Sequence, residues 1–554
     1  MPITSRILEV AAADPDQLAI VGGHSGSPAP DESADSAEGA QVQRSLTYAE
    51  LVADSRTMFA AVDGLHREQA EPPTPAPETH GIPITAVSLT SAFETSRIIA
   101  GLTGFRAVSA TIDPRWPLSH QLGVITTTGI GLVISDSFEL AEALAATGWT
   151  GSVITAADFH AREAAIDPAD TVPPSVREAS EPFLMLFSSG TTSNPKAFIK
   201  TRQQYRDNVA VSSAYLEPLP GVATLAPGPV SYSLTLYAVV ESLATGGSVH
   251  VADDFDPFTM GSRIATEAIT RVVAVPAVVK ALAEAARRTP ANFDGLDLVV
   301  TGGANLPASI RAALADVLPD TRLISYYGAA EIGFIGDSRD GDGTWISIYD
   351  TIGIEVREES GTRLPDGEIG TVWIKAAACS DGYVTGTTDA QLRLPDGWAT
   401  VGDQGRIENG LLQLAGRAGD IAITGGHKVS LPEVERAFEN FDGGLGDGPD
   451  GGAVRVGRRR LGEVCAVALP DDSLGSVVAI VVEPDSAGHG FEDGTPDSGT
   501  PAKATLLAHA RSRLAPQFVP RRFYLLDRLP RTVGGKIRRH ETVDLVMSGK
   551  AQRL

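Results

Sequence analysis

Short apolar runs at Leu132, Val133 and Ile134, at Leu298, Val299 and Val300, and over residues 477–482 are each too brief for a helix and predict buried strands. Between them, apolar residues recur at helical spacing, as over 277–286. Strands alternating with amphipathic helices predict stacked α/β layers. The C-terminal part carries its own set, with strands over 463–469 and 477–482 and helices over 432–438 and 504–514. That is enough for a compact second domain, and the junction is expected near Gly416. A chain of 554 residues needs this division, because single cores stop growing at about 250 to 300 residues. Four stretches rich in Gly, Pro, Ser and acids, 23–41, 66–82, 442–452 and 484–503, are expected to be mobile surface loops.

The composition is that of an ordinary globular protein, 43% hydrophobic and 21% charged, with no apolar run long enough to span a bilayer. The first residues lack the apolar core of a secretory signal, and two cysteines cannot form a disulfide framework, so a cytoplasmic protein is expected. A net charge of -24 argues against nonspecific nucleic-acid binding, which needs clustered Lys and Arg. Any polyanionic ligand must therefore meet local basic groups. The compact run Arg458, Arg459 and Arg460 is read as a solvated surface patch. No internal repeat and no metal-ligand spacing of Cys and His is present.

The segment Phe187-Ser188-Ser189-Gly190-Thr191-Thr192-Ser193-Asn194-Pro195-Lys196-Ala197 follows an apolar strand signal at 183–186. A loop of Gly and hydroxyl residues after a strand offers backbone N–H groups and hydroxyls to phosphate oxygens, and Lys196 adds charge. The phosphate loop of motor proteins and kinases needs Lys between Gly and Ser or Thr; here Lys196 follows Pro195 and precedes Ala197, which excludes it.

The segment resembles the phosphate loop of the adenylate-forming superfamily of acyl-CoA synthetases, adenylation domains and luciferases. The resemblance recurs in order along most of the chain. Ser325-Tyr326-Tyr327-Gly328-Ala329-Ala330-Glu331 resembles the motif whose aromatic packs on adenine and whose glutamate holds Mg²⁺. Gly302-Gly303-Ala304 resembles the adenine-contacting turn. Trp398-Ala399-Thr400-Val401-Gly402-Asp403 resembles the segment whose aspartate binds the ribose hydroxyls, and Gly416-Arg417 the Gly-Arg that follows. Leu529-Pro530-Arg531-Thr532-Val533-Gly534-Gly535-Lys536 resembles the C-terminal motif whose lysine catalyses adenylation.

The resemblance implies an α/β fold with a large multi-layered N-terminal domain, 1–415, a hinge at 416–420 and a small mobile α+β lid, 421–554. It implies an acyl-CoA ligase that handles a carboxylic acid as its acyl-AMP and passes the acyl group to a thiol, with ATP or acyl-AMP, Mg²⁺ and coenzyme A as cofactors. Lys536 and Glu331 would be catalytic, with Glu331 and Thr191 holding the metal. Nucleotide contacts would come from Ser188, Ser189, Gly190, Thr191, Thr192, Ser193, Lys196, Gly303, Ala304, Tyr326, Tyr327, Gly328, Ala330, Asp403 and Arg417. The lid would turn about Gly419, where the family commonly has Asp or Lys. Gly425, Gly426, His427 and Lys428 resemble the loop that lines the pantetheine tunnel, although exposed surface is an equal reading for His427 and Lys428. Tyr232, Gly302 and Gly328 would bound the acyl pocket. The segment 229–237 lacks the carboxylate that holds an α-amine, so an amino acid substrate is not expected.

Three positions depart from the pattern: Ser193 and Ala197 stand where glycines are usual, and Ala330 replaces a hydroxyl residue. A lost hydrogen bond to phosphate costs about 1.5 to 3 kcal/mol. A Cβ at a position needing positive φ costs a further ~1 to 2 kcal/mol. Several readings stay open: full two-step synthesis, thioesterification of acyl-AMP made by a partner adenylating enzyme, transfer to a free-standing carrier protein, or a non-catalytic binding protein. Oligomeric state, pathway and the identity of the acid are not legible.

Overall fold

The computed structural model describes residues 3–23, 44–188, 195–253, 256–303, 306–339, 345–424, 427–439, 441, 446–447, 453–454, 461–471, 474–484, 503–514, 516–532 and 536–554. They gather into two compact units, one of residues 1–353 with 374–401 and one of 354–373 with 402–554. The expected junction at Gly416 lies inside the second unit. Of the four stretches expected as mobile loops, 24–41 and 485–502 lie outside the described residues, as does most of 442–452.

In the first unit a six-stranded sheet runs in the order 152–154, Leu132–Ser135, Ile84–Ser88, Val108–Thr111, Pro182–Ser188, Lys196–Thr201. Its neighbours are parallel except the last pair, which is antiparallel. All residues of Ile84–Ser88 are buried, as a parallel strand covered on both faces requires. A second sheet stacks the parallel strands Leu18–Val21, Ser248–Val251, Ala223–Ala226, Arg271–Ala274, Leu298–Thr301 and Arg322–Ala329, and the last turns back as Gly333–Ser338. Helix Pro276–Arg288 shows why the pattern was readable: proline starts it, Val279, Leu282, Ala283 and Ala286 bury one face, and Arg287 and Arg288 complement its C-terminal dipole.

The stretch 66–82 is not surface loop throughout. Helix Tyr48–Arg67 extends into it, and Ala76, Thr79 and Ile82 are buried. Gln69 Nε2 donates to the Gly131 carbonyl at 2.7 Å, and Ala76 N–H donates to the Thr128 carbonyl.

The second unit is built on the sheet order His427–Ser430, Ile421–Thr424, Gly475–Val482, Arg522–Leu525, with Val464–Asp471 also pairing Gly475–Val482. Helices Leu431–Arg436 and Lys503–Arg513 pack on it through Leu431, Val434, Leu506 and Ala510. Among the described residues no helix is long and apolar enough to cross a membrane.

Two buried charge clusters tie the first unit together, and each generates a prediction. Arg271, at the head of its strand, donates from Nη2 to Glu241 at 2.7 Å and from Nε to the Leu216 carbonyl at 3.0 Å. Arg271→Met leaves Glu241 uncompensated in the core and should cost about 3 to 5 kcal/mol, whereas adding Glu241→Leu should recover at least half. Urea denaturation of the two variants checks this; equal losses would contradict it. In the second cluster His160 lies 3.0 Å from Glu163 and 3.2 Å from Glu94, which with Asp54 surround Arg97. Hydrogen bonds to Glu163 and then Glu94 raise the His160 pKa to about 9. Because this lies above the unfolded value near ~6.5, its stabilisation is complete below that pH and lost as pH rises through 9. His160→Gln should flatten the stability curve across that window, as read by melting temperature against pH.

Candidate active site

The arm after the phosphate loop is set by strand register. Ser188 pairs with Lys196 and Phe187 with Ala197, so Lys196–Thr201 returns antiparallel to Pro182–Ser188. Ser189, Gly190, Thr191, Thr192 and Ser193 lie outside the described residues. Strand alternation sends Ala197 and Ile199 into one core cluster and leaves Lys196, Phe198 and Lys200 on the opposite face. Segment 383–387 covers this edge: Val384 N–H donates to the Ala197 carbonyl, and Ala197 N–H donates to Thr387 Oγ1. The Lys196 ammonium sits 5.1 Å from the centre of the Tyr383 ring.

Ala197 is therefore not strained by its Cβ. It occupies extended strand backbone, fully buried, and the cost expected for a side chain at positive φ does not arise there. Ser193 lies outside the described residues.

Glu331 stands in the tight turn between Arg322–Ala329 and Gly333–Ser338. It is buried, and it is gripped at both ends. Its main-chain carbonyl accepts from Lys200 Nζ at 2.8 Å and from Ser380 N–H at 2.9 Å. Its carboxylate accepts from the Tyr383 hydroxyl at 3.1 Å. Lys200 also donates to the Ala378 carbonyl at 2.6 Å, and complete burial pulls its pKa down to about 8. A hard cation takes oxygen ligands, and Mg²⁺ commonly uses one or two carboxylates together with substrate phosphates and water. Glu331 supplies such an oxygen, so the residues fit that ion. Among the described residues no group of three or more His, Cys, Asp and Glu is placed to hold a metal on protein side chains alone.

Neighbouring positions follow from the same turn. The Ala330 carbonyl accepts from the Tyr237 hydroxyl at 2.7 Å. Tyr326 lies edge-on to Phe334, and its ring passes so close to Gly302 that a Cβ there would fall 2.4 Å from it. Tyr327 is buried, and Gly328 and Gly303 flank the same strand ends, whereas Ala304 lies outside the described residues. Tyr232 precedes helix Ser233–Thr245; burial and then Asp113 push its pKa up to about 12.

In the second unit Asp403 and Arg417 are cross-strand partners of the hairpin Asp403–Glu408 and Leu411–Arg417, with Arg417 Nε 3.4 Å from Asp403 Oδ1. Lys536 belongs to the same neighbourhood. Although the residue is exposed overall, desolvation of its ammonium and then the Arg417 guanidinium lower its pKa, with Asp403 opposing. Its N–H donates to Thr532 Oγ1 at 3.2 Å. Gly419 lies in the short turn Ala418–Asp420 with open space where a Cβ would sit. Arg417 N–H and Arg539 both donate to Asp420, which fixes that turn. His427 and Lys428 contribute backbone to a strand paired with Ile421–Thr424, and Gly425 and Gly426 lie outside the described residues.

Sequence reasoning missed Lys200, Tyr237 and Tyr383. A signal existed for Lys200, since a lysine directly after the apolar stretch 197–199 and two steps of alternation from Lys196 must share its face. Tyr383 and Tyr237 had none, because their contacts depend on chain segments far apart in sequence.

The AMP-binding enzyme family model matches residues 89–384, and the AMP-binding enzyme C-terminal domain model matches 458–536. The chain is 26% identical over 460 residues to YhfT, an uncharacterized acyl-CoA ligase of Bacillus subtilis, covering 82% of this chain and 86% of that one. It is 27% identical over 390 residues to a feruloyl-CoA synthase of an Amycolatopsis species, covering 68% and 72%. In structure it resembles the o-succinylbenzoate CoA synthetase of Bacillus subtilis in complex with its acyl-adenylate intermediate, with TM-score 0.77, 18% identity and 98% of each chain covered. With family models on both its large and small parts, the chain belongs to the AMP-binding enzymes, as an adenylate-forming enzyme of the acid–thiol ligase type.

Proposed function

We propose that this enzyme activates a carboxylic acid as its acyl-AMP and then transfers the acyl group to coenzyme A, completing both steps itself. The observation that carries this reading is the convergence of Lys196, Tyr383 and Glu331 beside the arm of the phosphate loop. In the first step the carboxylate attacks the α-phosphorus and pyrophosphate leaves, so negative charge builds on the transferred group and the leaving group. Lys196 and Lys536 answer that charge, and Asp403 accepts from the ribose hydroxyls while Arg417 reaches the nucleotide. Bound by Glu331 and Thr191 together with the phosphates, Mg²⁺ would neutralise further charge there. In the second step the thiol attacks the acyl carbon and AMP departs with the bridging oxygen. Lys536 has no task in that step, and a lid of 421–554 turning about 416–420, with Gly419 supplying backbone freedom, would exchange it for the loop of Gly425, Gly426, His427 and Lys428.

The unstrained strand position of Ala197 favours retained adenylation over an enzyme restricted to thioesterification. An aromatic acid is the first candidate, since a relative is named for ferulate and the segment 229–237 offers no carboxylate for an amine.

The reading is tested by ATP–pyrophosphate exchange over a panel of acids including ferulate, beside consumption of supplied acyl-AMP with CoA. Both activities are expected on the same acid. Lys536→Ala should reduce exchange by at least about a hundredfold while leaving acyl-AMP consumption within a few-fold. Exchange absent for every acid, with acyl-AMP still consumed, would leave only the second step. Ala330→Thr should raise exchange by about tenfold, the worth of one charge-assisted hydrogen bond. Ala197→Gly should not raise it, and should instead cost about 1 kcal/mol of stability from backbone entropy and a lost buried methyl. A gain in exchange from Ala197→Gly would contradict the strand account.

A further inference from the structure

We propose that Lys200 is a positioning residue that presents Glu331 to the nucleotide-bound cation. This rests on the reading of Glu331 as the metal carboxylate. Lys200 is fully buried in an apolar strand, where an ammonium costs several kcal/mol unless hydrogen-bonded. It spends that charge on two main-chain carbonyls, those of Glu331 and Ala378. The first belongs to the turn that carries Glu331, and the second to the 376–383 segment that carries Tyr383.

The two segments meet around one residue. The carbonyl of Glu331 takes Lys200 on one side and Ser380 N–H on the other, which uses both of its lone pairs. The carboxylate takes the Tyr383 hydroxyl, and the Tyr383 ring in turn lies beneath the Lys196 ammonium. Phe198, between the two lysines on the same strand face, forms a backbone bridge with Tyr383. Lys196 and Lys200 therefore act four residues apart on one rigid strand: one sits over the Tyr383 ring, and the other holds the turn bearing the carboxylate. A bare hydrophobic contact would fill the same space but would strip the Ala378 carbonyl of its ammonium donor and leave the Glu331 carbonyl with Ser380 N–H alone, loosening the link between the two segments. Preorganised carboxylate geometry matters most for a cation such as Mg²⁺, which tolerates little deviation from octahedral ligation.

The test compares Lys200→Met, Glu331→Gln and the unaltered full-length enzyme by calorimetry, using a non-hydrolysable ATP analogue with Mg²⁺ and, separately, AMP without metal. Lys200→Met is expected to weaken Mg²⁺-dependent binding of the analogue by at least about tenfold and to raise the Mg²⁺ concentration needed for half-saturation, while metal-free AMP binding stays within about twofold. Lys200→Gln, which keeps donors for one carbonyl, should fall between, and it carries the same comparison should Lys200→Met not fold. Equal weakening of both ligands would make Lys200 a purely structural lysine and overturn the proposal, as would no change in Lys200→Met where Glu331→Gln loses its Mg²⁺ dependence. Unchanged Mg²⁺ dependence in Glu331→Gln would instead remove the metal role of Glu331, and the proposal with it.

Discussion

The register of Pro182–Ser188 against Lys196–Thr201 decides which side chains the far arm of the phosphate loop turns toward the chemistry. With Ser188 opposite Lys196, Ala197 and Ile199 enter the aliphatic core, while Lys196, Phe198 and Lys200 face the 376–384 segment and the Glu331 turn. A slip of one residue would place two ammonium groups among Ile and Val, away from the carbonyls and the ring that receive them, so the cost of that burial specifies the register. The strand would otherwise be an open edge. Segment 383–387 closes it through the Ala197 main chain, and the same segment brings Tyr383 to Glu331.

Charge placement follows from this constraint. A chain of net charge -24 needs cations gathered locally to meet a polyanionic ligand, and Lys196 and Lys200 are placed by a rigid strand. In the second unit the grouping of Asp403, Arg417 and Lys536 is likewise backbone-determined, since the first two are partners across a hairpin and the third is bonded through its N–H to Thr532. Sites held on strands keep their geometry better than sites held on loops.

Much of the layered architecture was legible because buried strands and amphipathic helices write their periods into the sequence. The runs at 132–134, 298–300 and 477–482 and the helix at 277–286 all reappear as elements. The motif residues were expected from resemblance alone, and the structure brings Lys196 near Glu331 through Tyr383. What escaped was long-range. The stretch 66–82 has the composition of a loop, yet Ala76, Thr79 and Ile82 are buried singly among more exposed neighbours, with Ala76 N–H donating to the Thr128 carbonyl, leaving no period to detect. The grouping of 354–373 with the residues after 402 is invisible for the same reason, because it depends on strand pairing such as Gly370 with Gly405. The concern over Ala197 arose from judging a glycine position by its motif alone; only the pairing with Phe187 reveals extended backbone.

In the proposed reaction one carboxylate oxygen of the acid becomes the bridge to phosphorus and leaves with AMP when the thiol attacks. Turnover of an acid labelled with ¹⁸O in its carboxylate, in the presence of ATP, Mg²⁺ and CoA, tests this directly by mass spectrometry of the nucleotide product. The account predicts AMP carrying one ¹⁸O and pyrophosphate carrying none. Unlabelled AMP, or label appearing in phosphate or pyrophosphate, would contradict an acyl-adenylate intermediate and the roles assigned to Lys196, Glu331 and Lys536 with it.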